Sequence, residues 1–217
     1  IAHEIKNPLT PIQLSAQRLR RKYLGSFSGD DLVFDDCTNL IVKQVDELKN
    51  LVNEFSNFAR MPASNPTPNQ LNDVISEALR LYQEGHKEIT FVFDPDSSMP
   101  VFNLDRDQIK RAVINLLDNA VSAVSNDGEI KISSSYNQTL KMAVFSVSDN
   151  GSGIPPEDKP RLFEPYFSTK KSGTGLGLAI VSTIISDHNG YIRVKDNVPK
   201  GTAFIIELPV SQDKLNT

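Results

Sequence analysis

The sequence predicts an all-α helical hairpin that pairs with a second copy into a dimeric four-helix bundle, followed by an α+β two-layer sandwich. Three observations carry this prediction. Apolar residues recur at alternating steps of three and four over two stretches near the N-terminus, as in coiled coils. A proline-rich segment then separates these stretches from the rest of the chain. Beyond it, helical patterns mix with short alternating strands, an order typical of helices packed on a mostly antiparallel sheet.

Composition narrows the class of protein. The 217 residues are 39% hydrophobic and 23% charged, which suits one large or two small domains. A net charge of −4 without a basic run argues against nucleic acid as the main partner. The single cysteine, Cys37, excludes an internal disulfide and suits a reducing compartment. No apolar run approaches the roughly 20 residues that span a bilayer. Because the chain opens mid-pattern at Ile1, we expect it to be a fragment of a longer protein.

Two helices with one narrow apolar seam each form the predicted hairpin. The first runs from Ala2 to about Leu24, and an acidic, glycine-containing turn follows it. Its seam consists of Ala2, Ile5, Leu9, Ile12, Ala16, Leu19 and Tyr23. The seam of the second helix consists of Ile41, Val45, Leu48, Val52, Phe55 and Ala59. Two such helices cannot close a core alone, so we expect a homodimer built from two hairpins.

A histidine lies beside the first seam. With Ala2 at heptad position a, His3, Glu4 and Asn7 fall at positions b, c and f, outside the seam. A histidine held outside the core on a rigid helix is able to act as a nucleophile or a base, although a lone histidine is more often a solvated surface residue. Two prolines, at positions 8 and 11, each remove a backbone N–H, which predicts a kink just after the histidine.

The domain boundaries follow from the prolines at positions 62, 66 and 68. Residues 1–61 are predicted to form the hairpin, 62–69 a fairly stiff linker, and 70–217 the second domain. Asn72 is a candidate cap for the first helix of that domain. The elements predicted there are a helix at Leu71–Tyr82, strands at Ile89–Phe93 and Val101–Leu104, a helix from Asp105 to about Val124, strands at Ile130–Ser135 and Met142–Ser148, a helix beginning near Pro155, a helix at Leu176–Asp187, and strands at Tyr191–Val194 and Ala203–Leu208.

Three clusters in the second domain carry candidate chemistry. The first is a pair of amides, Asn115 and Asn119, which share one face of the long helix. Amide oxygens are hard ligands, and Mg²⁺ held partly by phosphates needs only one or two protein ligands. Taken alone, two such amides are more often simply exposed to solvent.

The second cluster begins at Asp149, at the end of a predicted strand, and contains Gly151 and Gly153. An Asn-Gly pair after an alternating strand usually marks a hairpin, but no strand follows here. A carboxylate at a strand end, followed by glycines that allow a ligand to approach the backbone, predicts a purine pocket in which Asp149 accepts the exocyclic amine of adenine.

The third cluster is a glycine-rich stretch directly before an apolar helix. Successive glycine N–H groups at a helix start bind anions, and the helix dipole favours this further. A polar segment precedes the cluster instead of a strand, so it differs from a dinucleotide fingerprint. That segment predicts a lid in which Lys170 or Lys171 meets phosphate. The cluster comprises Gly173, Thr174, Gly175, Leu176 and Gly177.

Together, in this order, the clusters resemble the H, N, G1, F and G2 boxes of sensor histidine kinases over essentially the whole chain. The F box is Arg161–Phe167, RLFEPYF. The stretches IAHEIKNPLTPIQLSAQRLRRKY and VDELKNLVNEFSNFARMP are most similar to nitrogen-regulation sensors of the NtrY type. The resemblance implies a dimerisation and phosphoacceptor hairpin followed by a Bergerat-type (GHKL) ATP-binding domain.

The resemblance also implies roles for the residues of the boxes. His3 would be the phosphoacceptor, and Glu4 would orient it and accept its proton. Asn119 would be the main Mg²⁺ ligand, with Asn115 in support. Asp149 would read adenine, with Thr202 behind it. The glycines of the third cluster would let the lid and the helix start close on the phosphates of ATP.

One departure concerns the phosphates. Many members of the family have a lysine or arginine shortly after the second N-box asparagine, whereas Val121, Ser122 and Ala123 follow here. The phosphates must then rely on the lid, and the choice between Lys170 and Lys171 stays open.

Further expectations concern partners and location. The resemblance implies a response regulator, NtrX-like, as the acceptor of the phosphoryl group. The pattern His3-Glu4-x-x-Asn7 is also similar to that of histidine kinases that dephosphorylate their regulators. We expect the chain to be the cytoplasmic portion of an inner-membrane sensor.

Three alternatives remain from the sequence. A GHKL-type ATPase would share the nucleotide fold, but such enzymes carry a glutamate base where this chain has Asn115. A catalytically idle dimeric adaptor would not need the complete set of boxes. His3 as a metal ligand would lack a second histidine or cysteine nearby, since His86 and His188 are isolated and His188 is better explained as a helix-end residue.

Overall fold

The computed structural model describes residues 2–23, 31–59, 63–125, 127–170 and 174–210, apart from the side chains of residues 2–8, 31–32, 50–51, 54 and 57–59. The chain divides into two compact units, Ile1–Pro62 and Ala63–Thr217. In the described part of the chain, no helix is long and apolar enough to cross a membrane.

The first unit is a pair of helices, α1 at Ala2–Tyr23 and α2 at Asp31–Ala59. The first helix continues without interruption through both of its prolines, and the predicted kink stays a prediction. Polar contacts join the two helices along their length. Arg20 pairs with Asp35, and the Gln13 amide donates to Asp46 at 2.7 Å.

Among the seam residues whose side chains the structure describes, two on each helix are buried within the hairpin. The buried members are Leu9, Ala16, Val45 and Val52, each no more than 7% exposed. The alternate members stay open to solvent, with exposures between 38% and 47%. We call them the exposed seam: Ile12, Leu19, Ile41, Leu48 and Phe55. On each helix the buried positions are seven residues apart, and so are the exposed positions. This spacing is expected because alternate residues of a narrow a/d stripe face two different neighbouring helices.

The second unit packs three helices on a five-stranded sheet of order β2-β4-β5-β7-β6. All neighbouring strands in this sheet are antiparallel except β2 and β4. This confirms the predicted α+β architecture. The elements are β1 Thr67–Gln70, α3 Leu71–Gly85, β2 Thr90–Asp94, β3 Val101–Leu104, α4 Arg106–Ala123, β4 Glu129–Asn137, β5 Met142–Asp149, a 3-10 turn Lys159–Arg161, α5 Gly177–Asp187, β6 Tyr191–Asp196 and β7 Thr202–Pro209.

The core lies between the helices and one face of this sheet. The predicted inner face of α4 is buried, as are alternate residues of β4 and β5. Period-two burial along strands and a buried stripe along a helix are the expected marks of a two-layer sandwich. The central members are Ile109, Ala112, Val113, Leu116, Leu117, Ala120, Ile130, Ile132, Ala143, Phe145 and Val147.

Three local predictions were wrong. Thr67–Gln70 form strand β1, paired with β3, where a linker was expected. The cap of α3 is Gln70, whose side chain accepts from the N–H of Asn72, and Asn72 itself donates to Asp96. The segment after Pro155 forms turns and a single 3-10 turn instead of an α-helix. For β1 and for Asn72 the partner lies in a distant strand or loop, which a local pattern does not contain. The turns after Pro155 are closed by local hydrogen bonds, such as that from the N–H of Asp158 to the Pro155 carbonyl.

His188 ends α5, as predicted, and also joins α5 to α4. Its Nδ1 lies 2.7 Å from the Ile184 carbonyl, and its Nε2 accepts from the backbone N–H of Asp105 at 2.9 Å. Asp105 is the N-cap of α4 and accepts from the N–H of Gln108. The imidazole therefore fixes where the long helix begins.

Candidate functional site

Asp149 occupies the last position of β5 and is only 3% exposed. Its Oδ1 accepts from the backbone N–H of Gly151 at 2.8 Å and from that of Thr202 at 3.3 Å. Burial raises the pKa of this carboxyl, opposed by the two hydrogen bonds and by the charge of Lys170. A buried carboxylate at a strand end is thus held in one orientation by backbone donors.

Glycines surround Asp149 because the backbone comes too close for a side chain. A Cβ on Gly151 would lie 2.4 Å from the carbonyl oxygen of Ala123. Gly201 has φ +111°, and a Cβ there would lie 1.9 Å from the carbonyl oxygen of Asp149. The predicted Gly153 also has a positive φ, +77°. Gly151 and Gly201 accept no other residue without a backbone shift, whereas Gly153 needs glycine only for its backbone angle.

The two predicted amides lie on one face of α4, and both are fixed by the helix itself. The amide nitrogen of Asn115 donates to the Arg111 carbonyl, and that of Asn119 donates to the Asn115 carbonyl, both at 2.9 Å. Because the NH₂ groups are engaged by the helix, each side chain presents its oxygen as the acceptor. The Asn115 Oδ1 would lie 3.1 Å from a Cβ on Gly177, so α4 and the start of α5 meet here.

The glycine-rich stretch is closed by a backbone contact to the F box. Gly175 has φ +70°, and its carbonyl accepts from the N–H of Tyr166 at 3.0 Å. A Cβ on Gly175 would lie 2.5 Å from the Tyr166 carbonyl carbon. Leu176, the N-cap residue of α5, is fully buried and makes no side-chain capping hydrogen bond. The helix start therefore presents backbone N–H groups next to Asn115.

Of the two predicted lid lysines, Lys170 is placed at the site. Its Nζ donates to the carbonyl of Asn119 at 3.5 Å. Partial desolvation lowers the pKa of its ammonium, against the attraction of the Asp149 and Asp118 carboxylates. The structure thus brings a cation to the stretch of α4 where the usual N-box lysine is missing. Lys171 and Gly173 lie outside the described residues, whereas Thr174 is described and lies at the end of the lid.

His3, Glu4 and Asn7 lie on α1 in the first unit, and their side chains fall outside the described part of the structure. Their predicted roles therefore stay predictions. The F-box arginine, Arg161, stacks over the ring of Phe167 at 4.5 Å.

Two contributors to the site were missed. The Tyr82 hydroxyl donates to Asp118 Oδ1 at 2.6 Å and so joins α3 to α4 between the two amides. Burial and then the Asp118 carboxylate raise the pKa of Tyr82, so it stays a donor. The Asn197 amide donates to the backbone carbonyl of Asp149 at 2.8 Å. Both are contacts between residues far apart in sequence, and no local pattern signals them.

The amide oxygens of the site suit a hard cation that is held mainly by the phosphates of a bound ligand. Among the described residues, no group of three or more histidine, cysteine, aspartate or glutamate side chains lies together as a metal cage. The oxygens of Asn115 and Asn119 are the type of ligand that Mg²⁺ accepts when phosphates complete its shell.

Two families match the chain, in the order in which the units occur. Residues 1–64 match the family described as the His Kinase A (phospho-acceptor) domain. Residues 104–212 match the family described as histidine kinase-, DNA gyrase B-, and HSP90-like ATPase, which indicates an ATP-binding domain.

The chain is also similar to whole proteins. It is 40% identical to nitrogen regulation protein NtrY of Azorhizobium caulinodans over 98% of this chain and 28% of NtrY. It is 35% identical to the sensory histidine kinase/phosphatase NtrB of Rhodobacter capsulatus over 99% of this chain and 62% of NtrB. The chain thus spans only part of these relatives.

Among solved structures, the chain is similar to histidine kinase ThkA in complex with the response regulator protein TrrA. The identity is 31% and the TM-score 0.71, over 98% of this chain and 60% of that one.

Proposed function

The chain belongs to the sensor histidine kinases, and from this premise we propose that it transfers the γ-phosphoryl group of ATP to His3 and then to an aspartate of a response regulator. The matched families lie in the order of phosphoacceptor and ATP-binding domain. NtrY and NtrB are similar to this chain over nearly its full length.

The observation that carries the proposal is the fixed orientation of Asp149. Both of its described side-chain hydrogen bonds reach Oδ1. We therefore assign Oδ2 as the acceptor of a hydrogen bond from the exocyclic amine of adenine. Guanine has a carbonyl oxygen at the same position and has no hydrogen to donate there. No side chain fits at Gly151 or Gly201, because the backbone comes too close there. The Asp149 carboxylate is therefore the side-chain group proposed to hydrogen-bond the base.

The phosphate end of the nucleotide falls to α4, the start of α5 and the lid. Asn119 and Asn115 would hold Mg²⁺, which when bound neutralises the charge of the phosphate oxygens. Lys170 would add a positive charge, and the N–H groups after Leu176 would contact phosphate. No residue of this set is suited to activate water, because Asn115 carries an amide where hydrolytic relatives carry a base.

In the transfer, a ring nitrogen of His3 forms a bond to the γ-phosphorus while the bond from that phosphorus to the leaving ADP oxygen breaks. Glu4 accepts the proton that the ring gives up. The phosphoryl group then passes from the imidazole to a carboxylate oxygen of the regulator, and the ring is regenerated. Both steps conserve the phosphoryl group and release no free phosphate.

We further propose two protein partners. The first is a second copy of this chain, because the exposed seam places five large apolar side chains in solvent on the open side of the hairpin. The second is a receiver domain, NtrX-like by resemblance, in keeping with the ThkA complex with TrrA. The parent protein would be membrane-anchored, with this chain on the cytoplasmic side.

A second activity, dephosphorylation of the regulator, is favoured by the relative NtrB, which is named a kinase/phosphatase. Asn7 lies one turn after His3 on α1. Its amide both donates and accepts, so it could hold a water in line with the acyl phosphate of the regulator.

Labelling with ATP tests the main proposal. His3→Gln should abolish transfer of the γ-phosphoryl label to the protein while leaving ADP affinity unchanged. His86→Gln, at a half-exposed histidine of the second unit, is the matched control and should label normally. The label should be labile in acid and stable in alkali, as a phosphoramidate is. Labelling that survives His3→Gln, or phosphate release without labelled protein, would overturn the proposal.

A further inference from the structure

The ladder between β5 and β7 stops one residue before the strands do. Its last pair joins Ser148 to Ala203. The next two residues, Asp149 and Thr202, both belong to these strands but are not partners of each other in the register. The N–H of Thr202 donates to the Asp149 side chain, at 3.3 Å from Oδ1. A backbone donor of the sheet is thus diverted to the carboxylate.

A side chain replaces the missing partner of the Asp149 backbone. The amide nitrogen of Asn197 donates to the Asp149 carbonyl at 2.8 Å. Asp149 is only 3% exposed, so without this donor its carbonyl at the strand end would have to find another partner. The donors of Asp149 are therefore exchanged: the N–H of Thr202 donates to the carboxylate, and the side-chain amide of Asn197 donates to the backbone carbonyl.

The loop that carries Asn197 holds it in this role. The Asn197 side-chain oxygen accepts from the N–H of Val198 at 3.0 Å, so its NH₂ group is the end that faces Asp149. The backbone N–H of Asn197 donates to the carbonyl of Gly201 at 3.0 Å. Gly201, with φ +111°, brings the loop against the Asp149 carbonyl, where any Cβ would collide. Both polar atoms of the Asn197 side chain are therefore hydrogen-bonded, the nitrogen to Asp149 and the oxygen to Val198.

We propose that Asn197 is a positioning residue that sets the adenine selectivity of the nucleotide site by holding Asp149 in its reading orientation. This inference rests on the proposed role of Asp149 in reading the base. Asn197 contacts no nucleotide itself. It acts by keeping the N–H of Thr202 on the carboxylate instead of on the backbone carbonyl.

Loss of the Asn197 amide should reverse the exchange. The Asp149 carbonyl would then compete for the N–H of Thr202, because a buried carbonyl without a donor is costly. If Thr202 turns back to complete the ladder, the carboxylate keeps only the hydrogen bond from Gly151 and gains freedom to rotate. Its Oδ2 would no longer lie at a fixed place relative to the base.

Calorimetric titration of the 217-residue chain with Mg·ADP and Mg·GDP tests this. Asn197→Ala should weaken ADP binding by about tenfold, the value of one lost hydrogen bond, and leave GDP binding nearly unchanged. In labelling kinetics, the KM for ATP should rise while kcat stays within about twofold, since the reacting groups are untouched. The control is Asn137→Ala, at the last residue of β4, whose side chain accepts from the N–H of Leu140 at the opposite end of the β4–β5 pair.

The outcomes separate this inference from the function it rests on. Wild-type protein that does not prefer ADP to GDP would overturn the proposed role of Asp149 and, with it, this inference. Wild-type preference retained in Asn197→Ala would overturn the inference alone. If Asn197→Ala fails to fold, Asn197→Asp decides: it has nearly the same shape but no donor, and it should lose selectivity. Equal loss of ADP and GDP binding would mean a structural role only and would also overturn the inference.

Discussion

Replacement of Asp149 by asparagine should weaken nucleotide binding and stabilise the empty protein at the same time. An asparagine oxygen can still accept from Gly151 and Thr202, at the present distances of 2.8 and 3.3 Å. Its NH₂ group, however, would face the exocyclic amine of adenine, and two donors cannot bond to each other. The change therefore removes one charge-assisted hydrogen bond and little else.

The magnitude follows from that single loss. A hydrogen bond to a charged group contributes roughly 1.5–3 kcal/mol, so ADP affinity should fall by about 10- to 100-fold. Stability should move the other way. Burial raises the pKa of Asp149, so its folded-state pKa lies above the unfolded value, and the empty protein loses stability as the pH rises through the folded pKa. At neutral pH, asparagine removes this cost, and the melting temperature should increase.

Calorimetry of ADP binding and thermal unfolding without nucleotide measure the two effects. In the wild type, ADP affinity should also fall as the pH drops through the raised pKa of Asp149, and Asp149→Asn should lack this titration. The control is Asp94→Asn, at an exposed strand-end aspartate of β2. Unchanged ADP affinity, or weaker binding together with a lower melting temperature, would refute the reasoning and reduce Asp149 to a turn residue.

Three further perturbations test other parts of the chain. Asn7→Ala should keep labelling of His3 within a few-fold but slow loss of phosphate from the regulator at least about tenfold, a barrier change of roughly 1.4 kcal/mol; equal decay would contradict the phosphatase role. Leu48→Asp, in the exposed seam, should give a monomer in sedimentation, and a persistent dimer would contradict that interface. Gly151→Ala should lower the free energy of unfolding by roughly 1–3 kcal/mol, whereas Gly85→Ala, with open space around it, should not.

Much of the fold could be predicted because its signals are local. The a/d steps of the two seams mark the hairpin, and the inner face of α4 is visible in the spacing from Ile109 to Ala120. The seams did not indicate which members are buried within one chain. Leu9 and Ile12 look equivalent in the pattern, yet only Leu9 is buried in the hairpin. That division depends on how the two helices are rotated against each other, which the heptad alone leaves open.

The candidate site divides in the same way. Asp149, the two amides and the glycines were found because each lies in a recognisable motif. Asn197 and Tyr82 were missed because their partners lie 48 and 36 residues away in the sequence. The strand at Thr67–Gln70 was missed because Pro68 argues against a strand, although a proline is tolerated in a short edge pair of this kind. Long-range hydrogen bonds decide these cases, and composition does not contain them.

The exposed seam has a consequence for how the protein unfolds. In the homodimer proposed above, a hairpin that leaves Ile12, Leu19 and Leu48 in solvent completes its core only on association with a second copy, so its stability would obey mass action. Its melting temperature should rise with protein concentration, whereas the second unit, whose core closes within one chain, should melt at a constant temperature. Dilution would then separate two transitions in a calorimetric scan. In a cell, the number of copies of the chain would itself set how much phosphoacceptor helix is folded.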